Sequence, residues 1–94
     1  MLKISKVEQA DRTLTLQLEG RVVGPWVAEL RRVCETILAG GRRLRLDLAE
    51  VSFVDKDGVM LFLNLRARGA ALQECSAFIE EELKTGGLVP GLTN

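Results

Sequence analysis

The chain carries two acids and a lysine between strongly apolar runs in the stretch SFVDKDGVMLF, residues 52–62. Two carboxylates this close together could bind a cation, and the pattern D-x-D opens the calcium loop of an EF-hand. Such a loop also needs an oxygen ligand at its fifth position, glycine at its sixth and glutamate at its twelfth. Counted from Asp55, these positions hold Val59, Met60 and Arg66. The spacing therefore argues against specific calcium binding.

The same turn could instead bind an anion, because a strand that runs into Gly58 at the start of a helix directs free N–H groups at one point. The turn has neither GxxxxGK[ST] nor GxGxxG, and its two carboxylates would repel a phosphate. We therefore expect no Walker-type nucleotide site. Asp57 is predicted to cap the helix that begins at Gly58. That leaves the pair Asp55 and Lys56, beside a run of apolar residues, without a structural role.

The composition limits the chemistry that the chain can perform. Its 94 residues include no histidine and no tyrosine, so the commonest general base and the commonest transition-metal ligand are both missing. Cys34 and Cys75 lack CxxC spacing and lie in apolar patterns, which predicts buried, reduced thiols rather than a nucleophile. These features predict a protein that is not an enzyme and that needs no metal and no cofactor.

The charges balance, since thirteen basic residues face thirteen acidic ones, and no net field attracts nucleic acid or acidic lipid. We expect solvated positions for the arginines that could otherwise contact nucleic acid, namely Arg31, Arg32, Arg42, Arg43 and Arg45. No apolar run approaches the roughly 20 residues that span a bilayer. The N-terminus alternates apolar and polar residues, unlike a signal peptide. We therefore expect a cytoplasmic protein with no nucleic-acid or membrane partner.

The periodicity of apolar residues predicts one small α/β domain. Apolar and polar residues alternate at 2–5, 14–19 and 44–48, which predicts strands, and a weaker fourth strand is expected at 71–75. Because the alternation leaves one polar face, helices should pack mainly on the other face of a sheet of about four strands.

Helices are predicted from Trp26 onward, from Gly58 to Arg68, and after Ser76, which can cap the last one. Trp26 is expected to be a core anchor, and the inner side of the last helix is predicted to carry Phe78, Ile79 and Leu83. The elements follow the order β-β-α-β-α-β-α. We place the domain at residues 1–84 and a flexible C-terminal tail, rich in glycine, at 85–94.

The stretch LRLDLAEVSFVDKDGVMLFL resembles the core of STAS domains, the family of anti-sigma-factor antagonists. In that family a strand reading hydrophobic-Asp-Leu-x-x-Val-x-Phe-hydrophobic-Asp-Ser-Ser-Gly runs into an apolar helix. The chain matches this motif without a gap at Asp47, Leu48, Val51, Phe53, Asp55 and Gly58. The element order also resembles the STAS fold, and the resemblance extends from Leu2 to about Leu83. It implies a non-catalytic interaction module of bacterial signalling and transcription regulation, with an anti-sigma factor or serine-kinase-like protein as its partner.

The chain departs from this family at the position that its phospho-switch members phosphorylate. Lys56 stands where the first hydroxyl after the aspartate is expected, and Asp57 replaces the second. Lysine cannot accept the phosphate, and its charge is opposite to the −1.5 to −2 of a phosphoserine. Ser52 is the nearest remaining hydroxyl and is expected to be an ordinary surface serine. We predict that the partner is bound by Asp55, Lys56, Asp57, Gly58 and Val59.

The sequence leaves one functional alternative and one question open. The alternative is a STAS-like sensor domain that binds a small ligand, either a nucleotide or a lipid. The open question is the oligomeric state, for which a homodimer is one option.

Overall fold

The computed structural model describes residues 2–85, which form seven elements in the predicted order. These are β1 Leu2–Glu8, β2 Thr13–Val22, α1 Pro25–Ala39, β3 Arg43–Val54, α2 Lys56–Ala67, β4 Ala71–Gln73 and α3 Ala77–Thr85. The tail predicted at 85–94 lies outside the described residues except for Thr85, which is the last residue of α3.

The four strands form a single mixed sheet in the order β1-β2-β3-β4. β1 pairs with β2 antiparallel, whereas β2–β3 and β3–β4 are parallel. Parallel neighbours need a crossover connection, which α1 and α2 provide. The parallel arrangement brings the ends of β2 and β3 together, because Val22 lies opposite Val54. This shared end of the sheet carries the loop at Asp55.

The core lies on one face of the sheet, as the alternating leucines predict. Buried leucines come from alternate positions of the two central strands, namely Leu14, Leu16, Leu18, Leu44, Leu46 and Leu48. The intervening residues Gln17 and Glu19 are exposed, and Arg45 and Asp47 are half-buried. The three helices pack beside one another over the leucine face, with α2 between α1 and α3. The prediction of helices on one face is confirmed.

β3 departs from regular pairing in its second half. The register with β2 shifts between Gln17 and Glu19, and again between Gly20 and Arg21. At each shift β3 contains one additional residue, so the alternation of its side chains is interrupted twice. As a result Val51 and Val54 are both buried, although they are three residues apart, and Phe53 is 39% exposed.

Several local expectations are corrected by the structure. α2 begins at Lys56 rather than Gly58, and β4 ends at Gln73 rather than Cys75. Phe78 was expected on the inner side of α3 but is 46% exposed, because it lies at the first turn of the helix beside β3. Trp26 is only half-buried, so it covers the edge of the core rather than anchoring it.

Ser76 and Cys34 agree with the local expectations, whereas Cys75 was predicted to be buried and is only half-buried. Ser76 caps α3, since its hydroxyl accepts a hydrogen bond from the Ile79 amide at 3.2 Å. Cys34 and Cys75 are both free thiols. Cys34 is fully buried, and this burial raises its pKa to about 12, whereas Cys75 is half-buried and its pKa is raised by the same cause. A buried, protonated thiol such as Cys34 is a core side chain rather than a nucleophile.

Candidate functional site

Asp55 is the residue that joins the end of β3 to the start of α2. Its Oδ1 accepts a hydrogen bond from the Gly58 amide at 2.8 Å, which makes it the N-cap of α2. Its Oδ2 accepts another from the Gly24 amide at 2.9 Å, and its own amide donates to the Val22 carbonyl at 3.1 Å. The cap was predicted to be Asp57, and that prediction is wrong because the helix begins two residues earlier.

The bond to Gly24 links two helix starts through one carboxylate. Gly24 is the N-cap residue of α1, has a φ of 54°, and offers no side chain of its own for capping. A positive φ of this kind is easily adopted only by glycine. Asp55 thereby orders the loop before α1 as well as the first turn of α2. Both carboxylate oxygens are used within the fold.

Gly58 is required because α2 starts in direct contact with the ends of β2 and β3. A Cβ atom at this position would lie 2.7 Å from Val54 Cγ1 and 2.9 Å from the Val22 carbonyl oxygen. Both separations are shorter than real Cβ contacts allow. The next residue, Val59, is also buried, with 3% of its surface exposed. Gly58 and Val59 therefore position the loop and the helix from below.

Lys56 and Asp57 are the exposed residues of the loop. Neither takes part in an ion pair or a side-chain hydrogen bond within residues 2–85. Asp57 lies in the first turn of α2, where a negative charge favours the helix dipole. One turn further along, Met60 is 46% exposed. The loop thus presents one positive charge, one negative charge and a flexible apolar side chain to solvent.

An aromatic pair lies beside this loop and was not recognised from the sequence. The rings of Phe53 and Phe78 stack with centroids 6.2 Å apart, and the Arg21 guanidinium lies 5.3 Å from the Phe53 ring centroid. Phe53 precedes Asp55 by two residues. Phe53 is part of the sequence motif, but its exposure depends on the two irregularities in β3.

The remaining hydroxyl near the loop is partly engaged by the fold. Ser52 is exposed, and its hydroxyl donates to the Gly20 carbonyl at 3.3 Å. This bond connects β3 to β2 at the point where their register shifts. Ser52 therefore lies on the same end of the sheet as Lys56 but not in the loop.

The described part of the chain offers no cluster of three or more acidic, cysteine or histidine side chains with the geometry of a metal site. None of its helices has the length and hydropathy needed to cross a bilayer. The loop itself is an ordered backbone, held by Asp55 and Gly58, on which Lys56 and Asp57 are exposed.

The family model described as "Mlab, STAS domain" matches residues 5–76. No curated protein matches the sequence significantly.

Among solved structures, the anti-sigma factor antagonist SpoIIAA in its unphosphorylated form is similar with a TM-score of 0.71 and 20% identity, over 88% of this chain and 83% of that one. A protein of the DUF3478 family with a SpoIIAA-like fold from Shewanella loihica is similar with a TM-score of 0.57 and 16% identity, over 96% and 80% of the two chains. At these identities the likeness concerns the fold.

Proposed function

The chain belongs to the STAS domain family, and on this premise we propose that it is a non-catalytic interaction module that binds a regulatory protein through the loop Asp55–Gly58 and the first turn of α2. The partner is of the class that anti-sigma-factor antagonists bind, an anti-sigma factor or a serine-kinase-like protein. The structural neighbour SpoIIAA, described as an anti-sigma factor antagonist, supports this choice of class.

The observation that carries the proposal is that the three charged residues of the loop have different roles. Asp55 satisfies two backbone amides from two helix starts, so it has a structural role. Lys56 and Asp57 are exposed on this fixed backbone and have no ion-pair partner within residues 2–85. Charges held in a defined position without an intramolecular partner are suited to select a complementary surface.

Contact area for such a partner is available close to the loop. Phe53, Met60 and Phe78 are three of the four large apolar side chains that are exposed in the described residues. Phe53 is two residues before Asp55, Phe78 stacks on it, and Met60 is one helical turn beyond Lys56. Aromatic side chains and methionine are enriched at protein interfaces. Gly58 and Val59 would act indirectly, because they are buried and set the position of the loop.

The proposed module differs from a phospho-switch in its charge. At the position that the family phosphorylates, this chain has Lys56, the first residue of α2, which cannot become a phosphoester. The loop therefore keeps one charge state, and its affinity for the partner would not be set by phosphorylation there. Regulation through Ser52 would require that its hydrogen bond to Gly20 be given up.

The proposal is tested by affinity capture from a native lysate with quantitative mass spectrometry. Lys56→Glu should lower recovery of the specific partner about tenfold, because it places a negative charge where the partner expects a positive one. Lys6→Glu is the matched control, since Lys6 is also exposed but lies opposite Leu16, six residues down β2 from the loop end. Equal recovery with both variants would exclude the loop as the binding surface.

A second variant tests the relationship to the phospho-switch. Lys56→Ser restores a hydroxyl at the first position of α2, and we expect a kinase of the partner class to phosphorylate this variant but not the wild type. Phosphopeptide mass spectrometry after incubation with lysate and ATP measures the difference. Phosphorylation of wild-type Ser52 to the same extent would contradict a loop with a fixed charge state.

A further inference from the structure

A cavity lies at the end of the sheet opposite the loop. It has a volume of about 470 Å³ and is lined by residues at the start of β3, by the residues before β4, and by the turn before β2. Arg43 begins β3 and Val54 ends it, so about 35 Å of strand separates this cavity from the loop. The polar side chains that line it are Asp11, Thr13, Arg42, Arg43, Arg45 and Arg68.

Two of the four arginines are neutralised by acids from neighbouring elements. Arg42 pairs with Glu8 at 2.6 Å, and Arg68 makes two hydrogen bonds to Glu35, at 2.6 and 3.0 Å. Through these pairs, the edge strand β1 and the helices α1 and α2 supply charged groups around the cavity. They hold the arginines in place but leave their other N–H groups available, because a guanidinium has five donors.

The other two arginines are not neutralised by the fold. Arg43 and Arg45 have no carboxylate within 4.0 Å among the described residues. The acid that lines the cavity, Asp11, accepts a hydrogen bond from the Thr13 amide at 3.1 Å. Hydrogen bonding to the Thr13 side chain, and then to its amide, lowers the pKa of Asp11 more than the nearby Arg43 does. With Glu8 and Glu35 included, four guanidinium groups face three carboxylates, so positive charge is in excess at the cavity.

Arg45 supplies a second, independent observation. Its Nε is buried and makes no hydrogen bond, and its Nη1 donates only to Gln9 Oε1, at a long 3.4 Å. Buried donors in folded proteins are nearly always paired, and leaving one unpaired costs free energy. Arg45 thus lines this cavity with a guanidinium whose only side-chain hydrogen bond among the described residues is a long one.

We propose that this arginine cavity binds the phosphate group of a small ligand. The guanidinium fork matches the oxygens of a phosphate, and arginine is favoured wherever two parallel N–H···O bonds recognise one. Because the four arginines come from the start of β3 and the end of α2, they approach the cavity from two sides. The ligand is small, since the volume is limited and the net charge of the whole chain is zero, which disfavours nucleic acid.

The test is a titration with inorganic phosphate at constant ionic strength, followed by two-dimensional NMR of backbone amides and arginine Nε–H groups. Signals of 42–45 and 69–71 and the Arg45 Nε–H should shift in a saturable manner, and those of 55–60 should not. Arg43→Gln and Arg45→Met should each weaken binding about tenfold, the effect of one charge-assisted contact. Arg32→Gln, at an exposed position on α1 that pairs with Glu29 rather than with a group at the cavity, is the matched control.

A second arm of the experiment distinguishes a lipid headgroup from a soluble phosphate ligand. It compares binding to vesicles of phosphatidic acid with binding to vesicles of phosphatidylcholine. Binding to the anionic vesicles that is lost in Arg43→Gln and Arg45→Met assigns a lipid headgroup, and binding of free phosphate alone assigns a soluble ligand. Absence of both, or binding that Arg32→Gln weakens as much as the cavity variants do, would overturn the proposal. The amide spectrum of each variant shows whether it is folded. If only one of the two cavity variants folds, its binding alone is enough to test the proposal.

Discussion

The two ends of the sheet are built on different principles. Where β3 ends, Asp55 and Gly58 fix the chain at the level of the backbone: one carboxylate accepts two amide hydrogen bonds, and one glycine allows α2 to touch the strands. Where β3 begins, long side chains connect the elements, as in the bidentate pair of Arg68 with Glu35. The first arrangement leaves no room for a larger residue at position 58, whereas the second is built from ion-paired side chains.

This difference explains where recognition can develop at each end. At the loop end the backbone is already satisfied, so only the side chains that point outward, Lys56 and Asp57, are free to contact a partner. At the arginine end the fold leaves guanidinium donors without acceptors, Arg45 above all. The hydrogen-bonded backbone of the loop end suits the proposed display of a fixed charge pattern, and the incompletely paired guanidinium groups of the other end suit the proposed phosphate site.

The strongest expected contrast is between the glycines of the two ends. Gly58→Ala should lower the free energy of unfolding by about 3 kcal/mol, because the new Cβ would overlap Val54 Cγ1 and the Val22 carbonyl oxygen. Gly40→Ala is the control: its φ is −78°, and its nearest neighbour would be the Ile37 carbonyl oxygen at 3.4 Å. This variant should be neutral or up to about 1 kcal/mol more stable. Urea unfolding monitored by circular dichroism measures both, and equal losses would refute a special role for Gly58.

The next contrast is within the loop, between its two acids. Asp55→Ala should cost about 2–3 kcal/mol, because it removes the cap of α2 and leaves the Gly24 amide without its acceptor. Asp57→Ala should cost only about 0.5 kcal/mol, the contribution of an exposed charge to the helix dipole. The same urea experiment decides between them. If Asp57→Ala were the more damaging substitution, the assignment of the cap would be wrong.

Much of the fold could be predicted from the sequence, because it depends on local patterns. The alternating leucines of β2 and β3 define one buried face, and a change of period after Trp26 defines α1. The motif around Asp47 and Gly58 then indicates the family, which the match over residues 5–76 confirms. Each of these signals is contained in a short stretch of chain.

The details of the site could not be predicted, because they depend on contacts between distant residues. Asp55 also holds the start of α1, because the Gly24 amide, 31 residues earlier, lies within reach of its second oxygen. Phe53 is exposed because β3 has two additional residues relative to β2. Phe78 is exposed because it stacks on Phe53 instead of entering the core. Periodicity along one element contains no information about any of these.

The aromatic pair at the loop end allows a third test. Phe53→Ala and Phe78→Ala, singly and together, form a double-mutant cycle in which we expect a coupling of about 1 kcal/mol from the stacked rings. Unfolding free energies supply the four corners of the cycle. The control is a second cycle that combines Phe78→Ala with Leu2→Ala. Leu2 is not part of the aromatic pair, so the two losses of unfolding free energy should be additive. A coupling near zero in the aromatic cycle would mean that the two rings are independent surface anchors.

The smallest expected effect concerns charge at the arginine end. The hydrogen bonds and charge of Arg68 hold the pKa of Glu35 below its ordinary value of 4.5. A carboxyl group whose folded pKa is lowered contributes stability above its unfolded pKa, and this contribution is lost as the pH falls through the folded value. Glu35→Gln should therefore differ from wild type at neutral pH and converge with it as the pH falls below 4.5.

The pair is exposed on both sides, so this difference should be small and should shrink further in high salt. Thermal unfolding between pH 7 and pH 3, at low and high ionic strength, measures it. Glu81→Gln removes the same charge from an exposed position of α3 that has no ion pair within residues 2–85, and it should not show the convergence. If both variants followed the same pH profile, the arginine end would owe its arrangement to packing of the long side chains and not to their charge.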